Sequence, residues 1–403
     1  MTNVSPPAPE TRRCGATLAD ATSALNSWVE VNLAAQARNV ASLKAELGPG
    51  VDLIAVVKAN AYGAGVEGVA PALETAGVDR FAVVWLDEAL RLRALGLTRP
   101  IIVLGHTPPP RAAEAVNAGI TLTCESLDLA RALSDAAVAA GRVAKVHIHI
   151  DSGLHRDGLT PAEGLELATA ARSLPCLLVE GLSTHMANSD ELDDSYSDAQ
   201  YAAFERVAAE LAWAPYRHAA NTATALRRGA FRLNGVRIGL ALHGILPDNT
   251  AGPQLEPVLA LRGRLIRVHE VPTGEGVSYG LTWRAPRPSR LGLVPIGYAD
   301  GWRRGLGNLG AVLVNGHRCP MVGRVCMDQF LIDITDAGPV EAGQVATLIG
   351  TDGGAAIRAE DVAAEAGTIP WDTLSSLQAR LPRIFHRDGL VESVTDSGGL
   401  HHA

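Results

Sequence analysis

The sequence is poor in lysine, in aromatic residues and in paired cysteines. Among its 35 lysines and arginines only three are lysines, Lys44, Lys58 and Lys145. The five cysteines form no C-x-x-C pair and are odd in number, which favours free thiols in a reducing compartment, here the cytoplasm. No apolar run approaches the roughly 20 residues of a membrane-spanning helix, so no membrane partner is expected.

Composition and charge exclude further classes of protein. The formal net charge of −8 disfavours a nucleic-acid partner. A hydrophobic content of 47% with 19% charged residues indicates a compact globular protein rather than a disordered one. No set of histidines and cysteines has the spacing of metal ligands, and no Ser/His/Asp signature of a serine hydrolase is present.

Residues 27–256 predict repeated β–α units, in which β-branched runs alternate with Ala/Leu/Glu-rich segments. Residues 1–26, rich in Pro, Ala, Thr and Ser, are predicted to form a disordered leader. Eight units close a (β/α)8 barrel, whose chemistry belongs to the carboxyl ends of the strands. The predicted strands are Val51–Val57, Arg80–Val84, Pro100–Gly105, Ile120–Cys124, Ala144–Asp151, Leu177–His185, Tyr216–Asn221 and Gly235–Gly244.

After Pro257 the pattern changes to short strand-like runs separated by turns. Because no long helices lie between these runs, residues 257–390 predict a mainly antiparallel β domain. Residues 391–403 read as a tail rich in Ser, Gly and His. The predicted fold class is therefore α/β, a (β/α)8 barrel followed by a mainly antiparallel β C-terminal domain.

Lys58 ends the first predicted barrel strand and is followed by a glycine-rich turn. A lysine in this position needs a reason, since lysine is rarely buried. Partial desolvation favours the neutral amine, which can form a Schiff base with the aldehyde of pyridoxal phosphate. Lys44 follows a helix-like stretch, and Lys145 begins a strand at the barrel end that does not carry chemistry. Lys58 is therefore the predicted cofactor lysine.

Polar residues follow several other predicted strands. Arg156 could hold a substrate carboxylate through its planar guanidinium, or could be a surface arginine. His185 could stack on a planar ring, or could be a satisfied histidine at the barrel end. Asn221 and Thr222 lie where barrels tend to bind phosphate, and the permanently charged Arg237 could face a ring nitrogen.

The segment Gly63-Ala-Gly-Val-Glu-Gly68, with Asp87 about 20 residues on, matches the G-x-G-x-x-G pattern of dinucleotide binding. That fingerprint requires its first glycine directly after the strand, whereas five residues intervene here. Glycines that ease a strand-to-helix turn are the commoner explanation. Tyr62 in this turn could donate its hydroxyl to a phosphate, or could be a half-buried loop aromatic.

Together these segments resemble the alanine racemase family, which are fold type III pyridoxal phosphate enzymes, from about Trp28 to Arg387. Ala55-Val-Val-Lys-Ala-Asn-Ala-Tyr-Gly63 looks like the family's cofactor motif. Three motifs of the second domain recur in the same order: Gly276-Val-Ser-Tyr-Gly280, Ile296-Gly-Tyr-Ala-Asp-Gly-Trp302 and Gly323-Arg-Val-Cys-Met-Asp-Gln329.

The resemblance implies an amino-acid racemase that interconverts L- and D-alanine with pyridoxal phosphate. Lys58 would carry the cofactor and act as the base on one face of the substrate Cα, with Tyr279 as the acid/base on the other. The family places this tyrosine in the partner subunit's site, so a homodimer with shared sites is implied. Arg237 would hydrogen-bond to the pyridine nitrogen and keep it unprotonated.

Further roles follow from the same resemblance. The phosphate would be held by Tyr62, Thr222 and the backbone N–H groups of Gly239 and Leu240, and the ring by His185. The substrate carboxylate would be bound by Arg156 and the backbone of Met327. Asn221 and Trp371 would complete the cofactor site. Tyr298 would be a substrate-binding residue and would line the entry path together with Asp190 and Arg304.

Three positions depart from the family pattern. The family typically has a lysine, often carbamylated, at His149, so the positioning of Arg156 must depend on another group. It usually has a tyrosine at Trp371, and indole offers no acceptor and is bulkier. His243, where tyrosine is common, is a milder change. These departures leave serine or another small amino acid open as the substrate.

Two other functions compete with racemisation. A cofactor carrier would resemble the lone-barrel pyridoxal phosphate-binding proteins, but these lack the second domain that holds Tyr279 and Met327. A fold type III decarboxylase would place a carboxylate at the pyridine nitrogen, where Arg237 is expected here.

Overall fold

The computed structural model describes residues 16–396 and 399–402. Their contacts divide the chain into two compact units. One unit comprises residues 35–257, and the other combines the residues up to Ala34 with those from Val258 onward. The first fifteen residues of the predicted leader lie outside the described residues.

The first described segment differs from the predicted leader and barrel start. Helix Leu18–Thr22 lies within the predicted leader, and Thr17 opens it by accepting a hydrogen bond from the Asp20 N–H. The following strand, Ser27–Asn32, pairs antiparallel with Leu259–Arg264 and parallel with Arg383–Arg387. Residues 27–34 were predicted to belong to the barrel, whereas this strand belongs to the other unit's sheet.

The predicted fold class is confirmed. Each of the first six barrel strands pairs parallel with the next, and the eighth pairs parallel with the first. Only an isolated parallel bridge between Asn221 and Arg237 joins the seventh strand to the eighth in the described chain, so the ring is nearly closed. The strands of the barrel are Asp52–Val56, Arg80–Val83, Ile101–Val103, Thr121–Thr123, Ala144–His149, Leu177–Ser183, Tyr216–His218 and Gly235–Ile238.

Helices separate these strands and begin at the residue types that the sequence provides. Ser126, Thr160 and Asn221 each precede a helix and accept a hydrogen bond from a backbone N–H of its first turn. The helices are Leu33–Leu47, Val66–Thr75, Leu86–Ala94, Ala112–Asn117, Leu127–Ala140, Pro161–Arg172, Ser195–Glu210 and Thr222–Arg227. None of the described helices is both long and apolar enough to span a bilayer.

The second unit contains a large sheet in which all neighbouring strands are antiparallel except Ser27–Asn32 and Arg383–Arg387. A separate two-stranded antiparallel sheet pairs Gly276–Val277 with Trp283–Arg284. Two short helices, Ala359–Glu365 and Pro370–Ser375, accompany the sheets of this unit. Its strands from Val258 onward are Leu259–Arg264, Arg267–Val271, Gly276–Val277, Trp283–Arg284, Ser289–Val294, Ala311–Val314, His317–Val322, Phe330–Asp333, Val345–Asp352, Ala355–Ile357, Arg383–Arg387, Leu390–Asp396 and Gly399–His402.

The carboxyl-terminal segment is not a loose tail. Leu390–Asp396 pairs with Arg383–Arg387, and Gly399–His402 pairs in turn with Leu390–Asp396. The described residues of the predicted Ser/Gly/His tail, 391–396 and 399–402, therefore extend the sheet at its edge.

Candidate active site

The chain turns left-handed directly after Lys58. Residues 59–62 are Ala-Asn-Ala-Tyr, and their φ angles lie between 52° and 57°. A non-glycine residue in this region costs roughly 1 to 2 kcal/mol, because its Cβ crowds the following carbonyl oxygen. Four such residues in succession need outside support, and backbone strain of this kind clusters at functional sites.

Glu88 provides part of that support. Its carboxylate accepts hydrogen bonds from the backbone N–H of Ala59 at 2.7 Å and from those of Val84 and Trp85 at 3.0 and 3.1 Å. One side chain thus ties the residue after Lys58 to the carboxyl end of the neighbouring strand. Glu88 was not among the predicted site residues.

Lys58 is half-buried at the mouth of the barrel, and its amine makes no hydrogen bond within the described part of the chain. Burial lowers the pKa of Lys58, and the charge of Arg156 lowers it further, whereas Glu88 and Asp157 act in the opposite direction. The other two lysines are held by carboxylates: Lys44 by Asp79 at 2.9 Å and Lys145 by Glu180 at 2.8 Å. Lys58 is the amine that is available for chemistry.

Arg237 lies buried at the same mouth. It donates to the carbonyl oxygens of Thr184, His218 and Ala219 at 2.8 to 3.0 Å, and to Nδ1 of His185 at 3.0 Å. Within the described residues its Nε makes no hydrogen bond. Burial drives the pKa of His185 well below its usual value, and Arg237 adds to this, so the imidazole is neutral and accepts from the guanidinium.

A narrow gap separates Tyr62 from the last barrel strand. A Cβ on Gly239 would lie 2.3 Å from the Tyr62 hydroxyl, so glycine is required there. Burial raises the pKa of Tyr62, which keeps its hydroxyl protonated. Thr222 begins the helix that Asn221 caps, and Leu240 begins a short 3-10 helix after Gly239. The predicted phosphate residues therefore gather at the ends of two neighbouring strands.

Arg156 is positioned by Asp157, a residue that was not predicted from the sequence. Its Nε donates to Oδ1 of Asp157 at 3.1 Å, and the same oxygen lies 3.9 Å from Nε2 of His149. Nδ1 of His149 is 2.9 Å from the Ser183 hydroxyl. Burial lowers the pKa of His149 to about 4, so it carries no charge at neutral pH. Asp157 is the anion beside Arg156.

The second unit brings three of the predicted residues into one neighbourhood. The N–H of Tyr298 donates to the Cys326 carbonyl at 3.1 Å, and that of Ala299 donates to the Met327 carbonyl at 2.9 Å. The Ser278 hydroxyl, next to Tyr279, lies 3.7 Å from Sγ of Cys326. The side chain of Tyr279 is 72% exposed, and Met327 and Tyr298 are exposed as well.

The two aromatic departures lie in different units. Trp371 is half-buried in helix Pro370–Ser375, where the neighbouring Asp372 pairs with Arg303. His243 is buried in the barrel unit, its ring 6.1 Å from that of Tyr62, and burial lowers its pKa to about 4. Its Nδ1 has no hydrogen-bond partner among the described residues.

The site so assembled offers a free amine, a fixed guanidinium and an anion-binding turn at one end of a barrel. It contains no group of side chains in the described residues that could hold a metal ion. Cys124, Cys176, Cys319 and Cys326 are free thiols. Such an arrangement suits a phosphorylated aldehyde cofactor that binds covalently to the amine.

Comparison with known families places both units in a single family. Residues 31–247 match the model of the alanine racemase N-terminal domain, and residues 258–385 match that of the C-terminal domain. The chain is 38% identical to the alanine racemase of Desulfosudis oleivorans over 89% of this chain and 96% of that one. It is 39% identical to the alanine racemase of Geobacillus kaustophilus over 93% of this chain and 98% of that one.

Solved structures give the same result. A crystal structure of alanine racemase from Bacillus anthracis with bound L-Ala-P has a TM-score of 0.86 and 38% identity, covering 92% of this chain and 97% of that chain. The alanine racemase of Bartonella henselae, with covalently bound pyridoxal phosphate, has a TM-score of 0.81 and 30% identity, covering 90% and 99%.

Proposed function

The chain belongs to the alanine racemase family, and from that premise we propose that it interconverts L- and D-alanine with pyridoxal phosphate at the mouth of its barrel. The observation that carries this proposal is Lys58, a half-buried amine with a lowered pKa and no hydrogen bond within the described residues. Serine or another small amino acid, which the sequence left open, is not favoured by these relatives.

Two features of the barrel mouth fit pyridoxal phosphate. Arg237 is a buried residue whose Nε makes no hydrogen bond in the described chain, so this N–H could donate to the pyridine nitrogen. The Tyr62 hydroxyl lies close to Gly239, where an added Cβ would be 2.3 Å from it, so this hydroxyl and the backbone N–H of Gly239 would both be near a phosphate bound there. Thr222 and the N–H of Leu240 would complete that set, beside Asn221.

The cofactor supplies an electron sink next to the substrate Cα. Lys58 would remove or return the Cα proton on one face, because its lowered pKa keeps a share of the amine neutral. Arg156, oriented by Asp157, would bind the substrate carboxylate. Arg237 stays protonated and donates, so the ring nitrogen would stay unprotonated, which disfavours the decarboxylase alternative. His185 would pack beside the ring.

The opposite face of Cα needs a second acid/base, for which we assign Tyr279. Its exposure in the single chain, together with that of Met327 and Tyr298, supports a site completed by association. We propose a homodimer in which Tyr279 and the Met327 backbone of one subunit serve the other subunit's site. Tyr298 and Trp371 would border that site. The cytoplasmic location stays a prediction from the free thiols.

The experiment that tests the function is hydrogen exchange at Cα. The cofactor-loaded protein is incubated with L-alanine in heavy water, loss of the Cα proton is followed by NMR, and the product is separated on a chiral column. We expect exchange together with accumulation of D-alanine, and neither with Lys58→Ala. Lys44→Met is the matched control, since Lys44 pairs with Asp79 on the outside of the barrel.

Three results would contradict the proposal. Faster exchange with serine than with alanine would reassign the substrate. Release of carbon dioxide faster than loss of chirality would indicate a decarboxylase. Cofactor binding without exchange of any amino acid would leave a carrier.

A further inference from the structure

A line of polar side chains crosses the interior of the barrel from Arg237 toward the opposite mouth. Barrel interiors are normally filled by layers of apolar side chains. Here Nη1 of Arg237 lies 2.8 Å from Nδ1 of His218, and Nε2 of His218 lies 2.8 Å from Nδ1 of His147. Nε2 of His147 lies 3.2 Å from Oε2 of Glu180. Three hydrogen bonds therefore link the guanidinium to a carboxylate.

Both imidazoles in this line are fully shielded from solvent. His147 and His218 are 0% exposed, and burial lowers the pKa of each, so both are neutral. A neutral imidazole has one donor and one acceptor nitrogen. The protein must therefore fix which nitrogen of each ring carries the proton.

The two ends of the line determine those positions. Arg237 can only donate, so Nδ1 of His218 must accept and its proton lies on Nε2. That proton is donated to Nδ1 of His147, whose own proton then lies on Nε2 and is donated to Glu180. The acceptor side of each ring thus faces the cation and the donor side faces the anion. Aligned hydrogen bonds of this kind strengthen one another in a dry interior.

Glu180 is itself anchored at the amino end of the barrel. Its Oε1 accepts from Lys145 at 2.8 Å and its Oε2 from Arg80 at 3.3 Å. Burial would raise the pKa of Glu180, but the hydrogen bonds from His147 and Lys145 outweigh it and hold the pKa at about 2. Glu180 is therefore a permanent acceptor. Arg80 is held in turn by Asp52 at 3.0 Å.

We infer that Glu180 is a positioning residue for Arg237, acting through the fixed tautomers of His147 and His218 across the barrel. Without an acceptor at Glu180, His147 can carry its proton on Nδ1, and His218 must then turn an N–H toward the guanidinium. Two donors would face each other, and Arg237 would be displaced from the position in which its Nε meets the cofactor. The inference rests on the proposed function, because it gives Arg237 its place opposite the ring nitrogen.

The test reads the tautomers directly. Full-length, cofactor-loaded protein labelled with ¹⁵N-histidine is studied by long-range ¹H–¹⁵N correlation, which distinguishes protonated from unprotonated ring nitrogens. We expect His147 and His218 to have a protonated Nε2 and an unprotonated Nδ1 from pH 6 to 9. A protonated Nδ1 on His218 in the wild-type protein would overturn the inference without any variant.

Three variants separate the acceptor from the charge and from packing. Glu180→Leu removes the acceptor, and we expect mixed tautomers together with a fall in kcat of about ten- to a hundredfold that exceeds any change in KM. Glu180→Gln keeps an acceptor oxygen and is expected to retain the wild-type tautomers. Lys145→Met, which removes only the outer partner of Glu180, is the matched control and is expected to keep both tautomers and kcat.

The outcomes also separate this inference from the proposed function. Wild-type tautomers in Glu180→Leu, or equal disturbance in Glu180→Gln and Glu180→Leu, would overturn the role of Glu180 even if the enzyme racemises alanine. If the protein shows the expected tautomers but does not racemise alanine, the role of Glu180 stands and the proposed function is refuted.

Discussion

At the scale of single residues, the site depends on one close approach and on several buried neutral imidazoles. Gly239 has no room for a Cβ, and His149, His185 and His243 each occupy a place in which burial disfavours the charged ring. The first feature makes a steric prediction and the second a prediction about pH.

Gly239→Ala is expected to weaken pyridoxal phosphate binding by about tenfold or more, because overpacking at a tight contact costs about 1 to 3 kcal/mol. The added Cβ would lie 2.3 Å from the Tyr62 hydroxyl and would therefore displace it. The dissociation constant is measured by titrating the apoprotein with the cofactor. Gly229→Ala, whose Cβ would meet only the Arg232 side chain at 3.9 Å, is the control. Equal affinities of the two variants would refute this account.

His243→Phe is expected to make the protein more resistant to acid. Burial lowers the pKa of His243 from 6.5 to about 4, so its contribution to stability is complete above pH 6.5 and falls as the pH drops toward 4. The loss amounts to about 3 kcal/mol at pH 4 relative to pH 7. Urea unfolding at both pH values measures it. If the free energy of unfolding of His243→Phe falls between pH 7 and pH 4 as steeply as that of the wild-type protein, the assignment is contradicted.

At the scale of secondary-structure elements, the sequence predicted the barrel strands well because most of them are short apolar runs that end at a turn. It misassigned Ser27–Asn32, because a buried strand carries no mark of the sheet that it joins. It also read residues 391–396 as tail, since a polar edge strand resembles a loop in composition.

The candidate site was predictable at strand ends and not between them. Lys58 follows the first barrel strand and Arg237 lies near the end of the last one, which made both of them candidates from the sequence. Glu88 acts from a helix start that no motif marks. The line of polar side chains inside the barrel could be predicted only weakly from the sequence. Lys145, His147 and His149 occupy alternate positions of one strand and so share its inward face. Their tautomers depend on partners on other strands, which spacing does not show.

The left-handed turn after Lys58 gives a prediction for an element. Glu88→Ala is expected to lower the free energy of unfolding by about 2 to 3 kcal/mol, since three backbone N–H groups lose a charged acceptor. It should also slow cofactor attachment to Lys58, because the strained turn relaxes. Asp87→Ala, one residue away and paired with Arg111 on the surface, is the control and should leave both unchanged. Urea unfolding and stopped-flow absorbance are the measurements.

At the scale of the whole molecule, the predicted sharing of sites between subunits can be tested by mixing two inactive variants. In a dimer of Lys58→Ala with Tyr279→Phe, one site lacks both residues and the other has both. If each site draws its lysine and tyrosine from different subunits, the purified mixed dimer should show about half of the wild-type kcat per dimer.

The control is each variant as its own homodimer, which should be inactive. A mixed dimer as inactive as these homodimers would mean that Lys58 and Tyr279 of the same chain act together. Differently tagged subunits, co-expressed and purified through both tags, provide the sample.

The small number of lysines limits the side reactions that an aldehyde cofactor could have with the protein. An aldehyde condenses with any accessible lysine, so a surface rich in lysine would form many Schiff bases with it. This chain has three lysines, and two of them are held by carboxylates through ion pairs. Its positive charge resides almost entirely in guanidinium groups, which do not form such adducts readily. Excess pyridoxal phosphate should therefore react mainly with Lys58, and few adducts should form with other amines of the chain.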